Sequence, residues 1–196
     1  IGFILNPYAG IGGKAGLKGS DNYKKIEKLL LEGCERTAPK RAESCMRKIA
    51  DLTASLVAGD KGLMGEKNFS ILSAPGDMGE ALLEKLKIPC DVVSCPKAHT
   101  SSAEYTKLCA QIMKEQGVDL LVFCGGDGTA RDICEAVGTD VTVLGIPAGV
   151  KMYSACYACN PYQAGEMLAG WLEGKEMSYE MREVLDIEEK DLDSRN

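Results

Sequence analysis

Short apolar runs alternate with helix-like segments along almost the whole chain. We predict strands over 1–5, 69–74, 90–94, 119–124 and 141–146 from their apolar character and the turn residues that follow them. Predicted helices cover 22–32, 37–56, 102–116, 129–137 and 161–172, and a further helix is expected to be capped near Asp77. The run over 119–124 is almost wholly apolar, which is typical of a strand covered on both faces. The alternation predicts an α/β fold: a three-layer sandwich with a mostly parallel sheet and helices on both faces.

The composition excludes two broad classes of protein. The 196 residues contain 23 Lys and Arg against 29 Asp and Glu, a net charge of −6. This balance argues against a surface that coats nucleic acid. No apolar run approaches the ~20 residues that a membrane-spanning helix needs. We therefore expect neither a nucleic-acid nor a membrane partner.

The nine cysteines suggest a reducing compartment. Their number is odd and several lie inside apolar segments, where cysteine acts as a small buried hydrophobe. We expect free thiols and a cytoplasmic protein. Cys156 and Cys159 form a C-x-x-C pair, and Cys90 and Cys95 lie close together, so a metal or redox site is an alternative. A structural zinc site needs four good ligands, and only one pair of these cysteines has the usual spacing. This favours the interpretation of the cysteines as small buried thiols.

Three glycine-bearing loops follow predicted strands, over residues 6–13, 125–129 and 145–149. In a parallel sheet, ligands bind beyond the carboxyl ends of the strands, and glycines let backbone N–H groups approach phosphate oxygens. Residues 10–15 also satisfy the G-x-G-x-x-G/A dinucleotide pattern, but Gly16 and Gly19 continue the loop where a helix should begin. A Walker A loop is excluded because Lys14 is followed by Ala15.

Asp127 is the single carboxylate between the glycines of the second loop. Such a group can hold Mg²⁺ or accept a proton from an attacking hydroxyl; the alternative is a cap of the next helix. The flanking glycines and the two companion loops favour the functional role. Arg131 and Lys151 follow glycine loops and could touch phosphates or be solvated surface charges. His99 is the only histidine, so a Ser-His-Asp nucleophile is not expected.

Several motifs together resemble one family. Residues 125–129 (Gly-Gly-Asp-Gly-Thr) match the signature shared by NAD kinases, diacylglycerol-type lipid kinases and, loosely, phosphofructokinases. Residues 6–10 resemble the Asn-Pro-x-x-Gly opening of the first two, and 145–149 are similar to the Gly-Ile-Asn-x-Gly segment of NAD kinases. Together with the segments 16–21, 129–132 and 148–152, these three motifs most resemble the predicted ATP-NAD kinase family, in the branch that includes the acetoin-catabolism protein X relatives. The resemblance covers nearly the whole chain.

This resemblance implies a reaction and a set of residues. Asp127 would orient or deprotonate the adenosine 2′-hydroxyl of NAD for attack on the terminal phosphate of ATP, or of another donor, to give NADP. It also implies ATP and Mg²⁺, NAD as substrate, and homo-oligomers as a family expectation. The implied nucleotide-binding residues are Asn6, Gly10, Gly12, Gly13, Gly125, Gly126, Gly128, Thr129, Pro147 and Gly149.

The chain departs from the family in its length. Family members carry a β-rich second domain whose Asn-Glu or Asn-Asp motif contacts the NAD ribose. The resemblance therefore implies a nucleotide-binding α/β domain over 1–178 and, over 179–196, a crossover with a strand at 179–187 into a second domain that the chain lacks. We expect little or no activity from these residues alone.

Two other functions remain open at this point. One is a related kinase that acts on a lipid or another small-molecule hydroxyl; we find no exposed apolar or basic membrane-docking feature in this portion. The other is a non-catalytic nucleotide sensor that has kept the fold. Retention of Asp127 favours chemistry over sensing.

Overall fold

The core of the fold is a parallel β-sheet. A computed structural model describes residues 1–11, 28–57, 69–95, 102–149, 152–182 and 184. Within them the strands are β1 (Gly2–Leu5), β2 (Leu72–Ser73), β3 (Asp91–Val92), β4 (Leu120–Gly125) and β5 (Thr142–Pro147). Every pairing between these strands is parallel, and their order is β3-β2-β1-β4-β5. The predicted α/β fold with a parallel sheet is confirmed.

Helices cover both faces of the sheet. They are α1 (Thr37–Val57), α2 (Glu80–Lys85), α3 (Ala103–Glu115), α4 (Asp127–Val137) and α5 (Pro161–Leu172), with a 3-10 helix at Gly76–Met78. Side chains alternate along each strand, so Phe3 packs with α1, α2 and α5 whereas its neighbour Ile4 packs with α3 and α4. The three layers of the sandwich follow from this alternation.

α3 and α5 begin within one residue of their predicted starts, and a side chain caps each of them. The Ser102 hydroxyl accepts the N–H of Tyr105 at the start of α3, and the Asn160 side chain accepts the N–H of Gln163 at the start of α5. Among the described residues, no helix combines the length and the apolar character needed to cross a bilayer.

Some local predictions were wrong. β2 and β3 have two residues each, shorter than predicted, because only two residues of each find a partner in the sheet. Beyond β2 the chain turns at Pro75 into the 3-10 helix. Asp77 caps neither nearby helix; its carboxylate accepts a hydrogen bond from Arg36 at 3.1 Å instead.

Other predictions fall partly outside the described residues. Of the helix predicted over 22–32, residues 28–31 are helical and 22–27 lie outside. Of the strand predicted over 179–187, residues 179–182 and 184 are not in a strand, so the prediction is wrong there, and 183 and 185–187 lie outside.

Candidate functional site

The strand order creates a crevice at the carboxyl edge of the sheet. β1 pairs with β2 on one side and with β4 on the other, so the chain leaves β1 and β4 toward opposite ends of the sheet. Such a topological switch point is where open parallel sheets bind their ligands. The loops after β1, β4 and β5 meet at this edge. We call residues 6–11, 125–129 and 147–149 the switch-point loops.

Hydrogen bonds join the switch-point loops to one another. The Asn6 side-chain amide donates to the Thr129 hydroxyl at 3.0 Å, across 123 positions of sequence. Its carbonyl oxygen accepts the N–H of Tyr8 at 3.1 Å, which turns the first loop. The N–H of Ala148 donates to the carbonyl of Gly125 at 3.0 Å. The predicted convergence of the three loops is therefore present.

Gly10 and Gly125 lie where a larger residue would collide with another part of the cluster. A Cβ at Gly10 would lie 2.4 Å from the carbonyl oxygen of Ala148, and one at Gly125 would lie 2.5 Å from the Thr129 side chain. Cβ positions at Gly126 and Gly128, in contrast, have no atom within 4 Å among the described residues. The first pair packs the loops together, whereas the second pair, at the start of α4, has no described residue against it.

Asp127 is the first residue of α4 and is half-buried. The N-cap is Gly126, and no side chain caps the helix. The Asp127 carboxylate instead accepts hydrogen bonds from residues that follow β5: the N–H of Tyr153 at 3.0 Å, the N–H of Ser154 at 2.9 Å and the Ser154 hydroxyl at 2.6 Å. The alternative role of Asp127 as a helix cap is therefore wrong.

Arg41 was not singled out from the sequence. It lies on α1, and its guanidinium donates to the carbonyls of Pro147 at 3.1 Å and Gly149 at 3.2 Å. These bonds fix the course of the loop after β5, across more than 100 positions of sequence. A single arginine inside an amphipathic helix carries no sequence signal for such a role. Ser154 was also missed; its only signal is that it closely follows the third glycine loop.

The charged candidates outside these loops have other contacts. Arg131 lies on α4 near Asp132 (3.6 Å) and Glu135 (3.9 Å) of the same helix. Burial raises the pKa of the Asp132 carboxyl, and the neighbouring Arg131 and Lys107 oppose that shift. The remaining candidates lie outside the described residues: Gly12, Gly13, His99 and Lys151.

The cysteines are free thiols, as expected. Burial raises the pKa of Cys156 to about 12, whereas Cys159 is exposed. In the part of the chain that the structure describes, no three His, Cys, Asp or Glu side chains are placed to hold a metal ion. The C-x-x-C pair therefore has no further ligands there.

Comparison with protein families decides the relationship. The family model for the ATP-NAD kinase N-terminal domain matches residues 1–176. The chain belongs to this family. Membership implies a kinase, with ATP and NAD as the nucleotides that it uses. Neither the curated proteins nor the solved structures gave a match to the chain.

An ATP-using kinase also implies Mg²⁺, so the donor set matters. Mg²⁺ is held by carboxylates together with substrate phosphates. Among the described residues no three His, Cys, Asp or Glu side chains form a cluster, so a Mg²⁺ ion at this edge would be held chiefly by the substrate phosphates. No step proposed below depends on one.

Proposed function

We propose that the protein is an NAD kinase-like phosphotransferase that moves the terminal phosphate of ATP to the adenosine 2′-hydroxyl of NAD, giving NADP and ADP. One observation carries the proposal: Asp127 is held at the switch point, directly between two glycines whose Cβ positions have no described atom within 4 Å. A carboxylate held in one position can orient the attacking hydroxyl, and the start of a helix beside it can bind the phosphates. Both are what the transfer of a phosphate to a hydroxyl requires.

The start of α4 supports the phosphate side of the site. The first N–H groups of a helix have no partner within the helix, and the helix dipole places partial positive charge there. Because Gly126 and Gly128 carry no side chain and no described atom lies within 4 Å of their Cβ positions, phosphate oxygens can approach this backbone closely. Gly125 and Thr129 support the turn from beneath through their mutual packing, and Asn6 holds Thr129 in place.

The reaction needs no covalent enzyme intermediate. The 2′-oxygen forms a bond to the terminal phosphorus, the bond from that phosphorus to the bridging oxygen breaks, and ADP leaves. The hydroxyl proton passes to the Asp127 carboxylate and from there to solvent. Positioning and charge neutralisation supply most of the rate in such transfers.

We further infer that residues 1–178 form the nucleotide-binding domain and that 179–196 lead into a β-rich second domain that completes the NAD side of the site. This inference rests on the family relationship. The tests therefore use the intact gene product rather than these 196 residues alone.

The first experiment measures NADP formation from NAD and Mg-ATP. An Asp127→Asn variant removes the charge and the proton acceptor while keeping the size of the side chain. We expect its rate to fall about a hundredfold or more, which is typical of losing a general base. The matched control is Asp140→Asn, because Asp140 is an exposed carboxylate paired with Lys114 at the start of β5, away from the carboxyl edge. This control should keep the wild-type rate.

Each outcome has a distinct meaning. An unchanged rate in Asp127→Asn would overturn the role of that residue. No NADP from the wild type, together with phosphorylation of a sphingoid base or diacylglycerol, would move the activity to a lipid acceptor. Binding of ATP without transfer to any of these acceptors would make the protein a sensor.

A further inference from the structure

The residues that bind Asp127 belong to a segment that is anchored to the sheet. We call residues 152–158 the return segment. Its far end lies beside β5: the N–H of Gly145 donates to the carbonyl of Cys156 at 2.8 Å, and the N–H of Ala158 donates to the carbonyl of Gly145 at 3.0 Å. Backbone bonds of this kind leave little freedom for the residues just before them.

Tyr157 strengthens this anchor by packing. A Cβ at Gly145 would lie 2.5 Å from its ring, so the ring sits directly on the β5 backbone. The ring also meets Phe123 of β4 edge-on, with 5.5 Å between the ring centres. Glycine at position 145 is what permits this close approach. The return segment therefore has a defined position over β4 and β5.

Ser154 is two residues before Cys156, the first residue of this anchor, and is only 5% exposed. Its hydroxyl and its backbone N–H both donate to Oδ1 of Asp127, at 2.6 and 2.9 Å. Among the described residues, Oδ1 accepts three hydrogen bonds, whereas Oδ2 accepts one, from the N–H of Tyr153. The two oxygens of the carboxylate are thus engaged unequally.

We propose that Ser154 is a positioning residue for Asp127. Its hydroxyl fixes the rotation of the carboxylate by holding Oδ1, so that Oδ2 is the oxygen left for the acceptor hydroxyl of the substrate. A hydrogen bond from a hydroxyl to a carboxylate is among the stronger ones in proteins, and its short distance fits that class. This inference rests on the proposed phosphotransferase function.

The kinetic test compares Ser154→Ala with Ser154→Thr in the intact gene product. The alanine variant removes the hydroxyl and keeps the backbone N–H. We expect kcat for NADP formation to fall about tenfold to a hundredfold, with KM for NAD and for Mg-ATP changed less than about twofold. Ser154→Thr keeps the hydroxyl and should recover most of the rate. Ser44→Ala is the control, because Ser44 is on the exposed side of α1 and its hydroxyl bonds the carbonyl of Lys40 in the same helix.

The second arm places Ser154→Ala in the Asp127→Asn background. If Ser154 acts through Asp127, the alanine change should lower the residual rate less than about twofold there. An equal loss in both backgrounds, or a rise in KM with kcat unchanged, would overturn the positioning role.

Urea unfolding separates this inference from the proposed function. It is measured on the wild type, Asp127→Asn, Ser154→Ala and the variant that carries both substitutions. Each single substitution should raise the equilibrium constant for unfolding. Because the two side chains are bonded to each other, the increase in the variant that carries both Asp127→Asn and Ser154→Ala should be at least about fivefold smaller than the product of the two single increases. If the effects on unfolding are coupled but no NADP forms, the contact between Ser154 and Asp127 is supported and the proposed function is contradicted. If NADP forms but the effects of the two substitutions on kcat and on unfolding are additive, only the role of Ser154 is contradicted.

Discussion

The carboxyl edge of the sheet is built in two different ways. Over β1, β4 and β5 the strands have four to six residues, and the loops beyond them are tied by buried or half-buried bonds such as Asn6 to Thr129. Over β2 and β3 the strands have two residues, and β3 is exposed. There the main side-chain tie to the rest of the edge is Arg36, which bonds the exposed Asp77 and lies over the Tyr8 ring.

The difference indicates where geometric precision is needed. β4 pairs with β1 over four residues and with β5 over six, so hydrogen bonds on both sides hold the end of its loop within narrow limits. The short strands β2 and β3, with an exposed ion pair at Asp77 beside them, tolerate adjustment, since such pairs contribute little and are screened by salt. Asp127 lies at the rigid part of the edge, as a group that must be aimed requires.

The largest effect should come from adding one methyl group between two switch-point loops. Gly10 has φ +82° and a backbone oxygen 2.4 Å from where its Cβ would be. Gly10→Ala should lower the free energy of unfolding by about 3 kcal/mol or more, from backbone strain and overpacking together. The measurement is urea unfolding.

Gly33 is the matched control for that change. Its φ is +85°, but nothing described lies within 4 Å of its Cβ position. Gly33→Ala should cost about 1–2 kcal/mol, the strain of the left-handed backbone alone. Equal losses in the two variants would contradict the close packing of the loops after β1 and β5.

The next effect concerns the bond between the loops after β1 and β4. Thr129→Val keeps the size of the side chain but removes the hydroxyl that accepts from the Asn6 amide. We expect the free energy of unfolding to fall by about 1–2 kcal/mol, the cost of losing a partly buried hydrogen bond. Asn6→Ala removes the same bond and also the acceptor of the Tyr8 N–H, so it should cost more. The two changes combined should cost clearly less than their sum; additivity would show that the bond does not form.

A smaller effect is expected where the edge is open. Gly126→Ala meets no described atom within 4 Å and has an ordinary φ of −104°, so the free energy of unfolding should stay within about 0.5 kcal/mol of wild type. Its methyl group would project into the space proposed for the phosphates. We expect the Kd for ATP to rise about tenfold, which corresponds to about 1.4 kcal/mol, measured by isothermal titration calorimetry. Unchanged affinity would move the phosphates away from this turn.

Prediction from sequence succeeded where the deciding contacts are local. The starts of α3 and α5 follow from Ser102 and Asn160, because a cap is made with a residue three positions later. The apolar run of β4 needed only its own composition. The glycine loops could be placed at one edge because the carboxyl ends of parallel strands share an edge.

Prediction failed where the partner is distant in sequence. Arg41 bonds a loop more than 100 positions away, and Ser154 reaches Asp127 from 27 positions further on. Nothing local distinguishes Arg41 from the other charged residues of α1. The lengths of β2 and β3 were overestimated for a related reason, since an apolar run does not reveal how many of its residues find a strand to pair with.

The smallest effect should come from the exposed part of the edge. Arg36→Ala removes the 3.1 Å ion pair with Asp77 and the guanidinium 5.0 Å above the Tyr8 ring. We expect a loss of about 1 kcal/mol or less in the free energy of unfolding, because both interactions face solvent. The loss should shrink further in 1 M salt, where the Debye length is about 3 Å. Arg47→Ala is the control, an exposed ion pair with Glu43 that lies within α1, away from the edge. A loss from Arg36→Ala as large as that from Thr129→Val, and insensitive to salt, would mean that the edge over β2 and β3 is as firmly built as the part that holds Asp127.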